Sequence, residues 1–253
     1  MHSHASGRSR PSHHSKPGLA PPILGALCAA FLAGVLALAI PSIAAAAAVQ
    51  QDGAQDDAWS PLFRQGLAAF PEQSLDAAEL FTKSLEQAKD NLQKAFSYHM
   101  VARSYEVRGF EGPLGGANVL YEKAQYLFDD VMPSAAVQDN PDQKAIVESF
   151  VVTNLQRLGV AYSQSAFREK AEATLERAGS IAHANPDIPK HLVVAADLAL
   201  SGHYARNARW DEAEASLDQA AVYVEGLPEH DPWLTDRISD FRTWLVTLRS
   251  EHE

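Results

Sequence analysis

From about residue 58 onward, apolar residues recur every three or four positions, and short polar breaks interrupt them. That is the period of a helix with one buried face. No stretch sustains the alternation of a half-buried strand, so the chain reads as all-α. The breaks are "FPEQS" (70–74), "GFEGPLGG" (109–116), "MPSAAVQDNP" (132–141), "ANPDIP" (184–189) and "GLPEHDP" (226–232). Ser60-Pro61, Asn140-Pro141 and Asp231-Pro232 each pair a capping side chain with a proline at the first helical position, where its missing N–H costs nothing. Ser74 is read as the cap of the next helix. The count comes to about nine helices.

The same spacings return along the chain. Leu155, Leu158, Gly159 and Tyr162 share one helical face, followed on the next helix by Ala171, Leu175 and Ala178. Upstream stand Tyr98, Val101, Ala102 and Tyr105, then Ala117, Tyr121 and Ala124. Downstream come Asp197, Leu200, Ser201 and Tyr204, then Ala213, Leu217 and Ala220. A looser first copy has Gly66 and Ala69, then Ala77, Phe81 and Ser84. The physical sense is close helix–helix contact. Ala102, Gly159 and Ser201 are small so that the second helix of each pair can approach. The alanines on that second helix reciprocate, and Tyr121, Leu175 or Leu217 fills the space between. The rings of Tyr105, Tyr162 and Tyr204 are expected to reach toward the next turn or the next repeat. One pair cannot bury its face alone, so pairs must stack. A final stretch carries Leu234, Ile238, Phe241, Leu245 and Leu248 and is read as a helix capping the last repeat, with dimerisation as the alternative.

This pattern resembles the tetratricopeptide repeat, W-x2-L-G-x2-Y followed by A-x3-F-x2-A, over roughly residues 58–228. The resemblance implies a right-handed α-α superhelix of about four such helix pairs, with residues 229–253 as the capping helix. The copies are spaced more widely than the family's period of about 34 residues. Ala117 to Ala171 is 54 residues and Ala171 to Ala213 is 42. In the family the first helices line a concave groove that holds peptides or protein segments. By that likeness His99, Arg103, Glu106, Gln156, Ser163 and Arg206 are the candidate partner-binding residues, with Val160, Leu198 and Gly202 among them. The lysine and asparagine arrangement that clamps C-terminal carboxylates in some members is absent.

Residues 1–48 read as an export signal. A basic, acid-free start (Arg8, Arg10, Lys16) precedes an apolar run from Leu19 to Ile40, then Pro41 and an alanine tract, with cleavage expected after Ala48. The alternative is an uncleaved membrane anchor over 19–40, since 22 apolar residues are long enough to span a bilayer. Either way residues 49–253 are expected in the periplasm or cell envelope, behind a polar acidic lead at 49–57. The net charge of −11 includes those three cations and no acid within 1–48, so residues 49–253 carry −14. Such a balance argues against nucleic acid and anionic headgroups. Cys28 is the only cysteine, which leaves the mature chain without disulfides or thiolate sites.

No nucleophile elbow, zinc-protease motif or phosphate loop is present. The glycines of "GFEGPLGG" follow a helix and lack a P-loop lysine, so the stretch reads as an insertion. Of ten histidines, His2, His4, His13 and His14 lie in the signal, and His183, His191 and His203 are too far apart to form a local ligand set. The chain is therefore expected to be non-enzymatic, without cofactor or metal, and to bind a protein or peptide partner. An assembly subunit that oligomerises through its end faces is the alternative, followed by a small-ligand binder.

Overall fold

The computed structural model describes residues 59–107, 116–165 and 167–252. The expected signal or anchor (1–48), the acidic lead and most of the "GFEGPLGG" break lie outside them. Within the described residues the chain forms ten helices and no strand: α1 Trp59–Ala69, α2 Ser74–Gln87, α3 Asn91–Val107, α4 Gly116–Val131, α5 Ala135–Gln138, α6 Pro141–Ser163, α7 Arg168–Ala184, α8 Lys190–Arg206, α9 Trp210–Glu225 and α10 Pro232–His252. The tenth is the single turn of α5, inside the break read as a plain connection at 132–141.

The caps explain several boundaries. Asn140 Oδ1 accepts the Gln143 amide at 3.0 Å and starts α6. Asp231 Oδ1 accepts from the amides of Trp233 and Leu234 and starts α10. Two expected caps are displaced. Ser60 lies inside α1, and Ser74 is the first residue of α2, because the Gln73 carbonyl already accepts from Ala77 N and closes the turn one residue earlier.

Helices α1/α2, α3/α4, α6/α7 and α8/α9 form four hairpins, and the first helix of each later hairpin packs on the hairpin before it. Helix α10 lies on α8 and α9. This stacking produces two kinds of helix. The second helix α7 fully buries one stripe only, Ala171, Leu175, Ala178 and Ala182, and its other residues keep partial or full exposure. The first helix α8, with neighbours on every side, buries every residue from Leu192 to Ala199.

Inside a hairpin the contact is a small residue against a large one. A Cβ on Gly159 would lie 2.6 Å from Leu175 Cδ2, and one on Gly66 2.6 Å from Phe81 Cε1. Neither space exists for a larger residue. At the N-terminal end the core is aromatic: Trp59 stacks on Phe63 at 4.6 Å, Phe63 meets Phe81 and Phe96, and Phe96 meets Phe150 at 4.6 Å. Trp59 also donates its indole N–H to Ser97 Oγ at 2.8 Å, so its polar edge is satisfied inside the core. A second cluster joins Leu198, Leu217, Leu234, Phe241 and Leu245 of α8, α9 and α10.

Between hairpins a polar pattern repeats. The Tyr162 hydroxyl donates to Glu122 at 2.5 Å, Lys170 reaches the same carboxylate at 3.2 Å, and the Lys170 ammonium lies 4.1 Å from the Tyr162 ring centre. One hairpin later, Tyr204 points to Glu176, Arg209 lies 4.4 Å from the Tyr204 ring, and Arg209 bonds Glu172 at 2.7 Å. Glu122 and Glu176 stand at matching places, each next after the large packing residue. These tyrosines thus reach back to the preceding hairpin and not toward the next. The row continues on α9, where Asp218 and Glu214 receive Arg242 and Arg249 of α10 at 2.8 and 2.9 Å.

Candidate functional site

The residues read as groove-lining do not lie on one open face. His99 (2% exposed), Arg103 (6%) and Gln156 (1%) are buried between hairpins, because the following hairpin covers that side of α3 and α6, and Leu198 and Gly202 are buried under α10. Glu106, Val160, Ser163 and Arg206 keep partial exposure. Three of the six nevertheless come together, in a polar cluster at the junction of the second and third hairpins.

Its centre is the Glu106 carboxylate, near the end of α3. Oε1 accepts from Arg157 Nη1 of α6 at 2.5 Å, and Oε2 accepts from Arg103 Nη1 at 3.1 Å and from the Tyr121 hydroxyl of α4 at 2.7 Å. Burial alone would raise the Glu106 carboxyl, but Arg157 and Arg103 outweigh it and hold the pKa down at about 2. The Tyr121 hydroxyl moves the other way, well above its usual value, through burial and the adjacent carboxylate. Arg157 Nε is buried without a hydrogen-bond partner.

Two turns back from Glu106 along α3, His99 shares a hydrogen bond of 3.0 Å between its Nδ1 and Asn154 Oδ1. Asn154 Nδ2 donates to the Tyr121 carbonyl and to Gln125 Oε1, which makes Oδ1 the acceptor and places the proton on His99 Nδ1. The ring sits edge-on to Phe150 and Tyr121. Burial keeps it neutral, with its pKa pushed down to about 3. Gln156, two residues past Asn154, turns to the opposite neighbour and donates to the Leu192 carbonyl of α8 at 3.0 Å. These groups fasten hairpins together. Arg103, Glu106, Tyr121 and Arg157 form one hydrogen-bonded set that ties α3 and α4 to α6.

Farther along, Ser163 Oγ and His203 Nδ1 are 3.0 Å apart, with Arg206 near enough to help lower the His203 pKa after burial has done most of it. The three separated histidines stay separate: His203 is with Ser163, His183 is with Asp197, and His191 lines a hollow of about 380 Å³ together with Lys190, Asp231 and Trp233. No three His, Cys, Asp or Glu side chains gather as a metal set among the described residues. No described helix is long and apolar enough to cross a membrane.

Arg157, Asn154 and the His183–Asp197 contact were missed at the level of sequence. A signal existed for the first two: "VTNLQRLG" carries four polar side chains in the buried middle of a first helix, where each must find a partner. For Asp197 the signal was a carboxylate inside a packing stripe. Compared with protein-family models, curated proteins and solved structures, the chain matches none.

Proposed function

We propose that this chain is a non-enzymatic, tetratricopeptide-like scaffold, exported to the cell envelope, that docks a segment of a protein partner. The observation that carries this reading is the recurring link between hairpins, Tyr162 to Glu122 and Tyr204 to Glu176, over the small-on-large contact within them. A stacked array whose buried polar groups serve one another offers shape and surface, the requirements of a scaffold. The docking face is drawn around Ser163 and Arg206, where the first helices of the third and fourth hairpins end and side chains remain accessible. Arg103 and Gln156 are no part of that face, since both are buried and bonded within the array.

Affinity capture from envelope extracts tests this, with wild type beside Arg206→Glu. Arg206 is a partly exposed residue at a helix end, so its reversal should leave the melting temperature unchanged while a partner held by wild type is lost. Recovery of the same proteins by both forms would remove the docking face from this edge.

A further inference from the structure

The third and fourth hairpins meet around a carboxylate. Asp197 lies in the middle of α8 with its side chain 5% exposed, and both of its oxygens lie 3.0 Å from His183 Nε2 of α7. From α9, Gln219 brings its amide nitrogen to 3.1 Å from that ring nitrogen. Tyr223, also of α9, stands perpendicular to the imidazole at 5.6 Å between centroids. Among the described residues, α6 and α10 bring no charged group that acts on Asp197, although both pack on α8. The one basic side chain set against Asp197 is therefore the imidazole of His183. His183 keeps 27% of its side chain exposed and so can exchange protons with water.

We propose that Asp197 and His183 form a proton-operated latch between the third and fourth hairpins, held tighter as the surroundings become mildly acidic. With Asp197 ionised, the junction contains a buried carboxylate whose partner is the His183 imidazole. A proton taken up by the pair cancels that charge, whichever of the two carries it. The direction agrees with the carboxyl's proton affinity: burial raises its pKa to about 6, against the opposing pull of His183. A folded pKa above the unfolded one gives a stabilisation that is complete below the ordinary carboxylate range and is lost as pH rises through about 6. The Tyr223 hydroxyl, raised by burial and by Asp197, stays protonated throughout. His203, farther along α8, responds in the opposite sense, since burial lowers its pKa. The latch must therefore be read as a difference between two proteins.

Hydrogen exchange of wild type and Asp197→Asn at pH 5.5 and 8.0, corrected for intrinsic rates, reads local opening in peptides of α7 and α8. The wild-type to variant protection ratio should be about fourfold larger at pH 5.5 than at pH 8.0. An equal ratio at the two pH values overturns the latch. Should Asp197→Asn fail to fold, NMR titration of the Asp197 carboxyl carbon in wild type decides. A midpoint near the expected value of about 6 upholds the latch, and one below about 5 overturns it.

Discussion

The two inner junctions of the array solve the same problem with different chemistry. Between the second and third hairpins the buried charges are permanent: two guanidiniums on one carboxylate, beside a histidine that burial keeps neutral. Between the third and fourth, a carboxylate whose proton affinity is raised by burial leans on an imidazole. The first junction is weakened by acid. Glu106 contributes fully above the ordinary carboxylate range and loses that contribution as pH falls toward about 2, and His99 resists the proton that an unfolded chain would accept. The second gains from the same protons. Buried polar groups of similar number thus give one junction a fixed register and the other a response.

Removing the charge balance at the first junction should have the largest effect. Glu106→Ala leaves Arg157 buried without its carboxylate, and breaking a buried ion-pair set costs about 3–5 kcal/mol. Urea denaturation measures it, and a loss under about 1 kcal/mol would show that water replaces the carboxylate. Next comes Gly159→Leu, inside the third hairpin and so between the two junctions, which should cost about 1–3 kcal/mol by overpacking against Leu175. Combining it with Leu175→Ala should return part of the loss, and unchanged melting of the single variant would contradict the packing. The smallest effect sharpens the contrast in pH response. His99→Gln can keep the bond to Asn154 without a protonatable ring, so its stability relative to wild type should improve by about 2 kcal/mol as pH falls from 7 to 5. A constant difference across that range would mean that His99 is not what acid attacks.

Much of the architecture was legible because it rests on local spacing. Gly159, Leu175 and Ala178 are placed by the helical period alone, and all-α organisation follows from the same period. What could not be read was which side of a first helix faces water. His99 and Gln156 lie one step around from the packing stripe, a place that is open in a single hairpin and closed once another stacks on it. That closure depends on contacts between residues far apart in the chain: His99 to Asn154 spans 55 positions and Arg157 to Glu106 spans 51. Cap positions failed more mildly, by a residue, because a backbone carbonyl at Gln73 took the role assigned to Ser74.

The manner in which α10 is attached has one more consequence. Arg242 and Arg249 meet Asp218 and Glu214 on the same carboxylate row of α9 that elsewhere receives a tyrosine and a cation from a following hairpin. The fourth hairpin is therefore not specialised as an ending. Its outer side is a socket of standard form, and α10 is a plug that fits it.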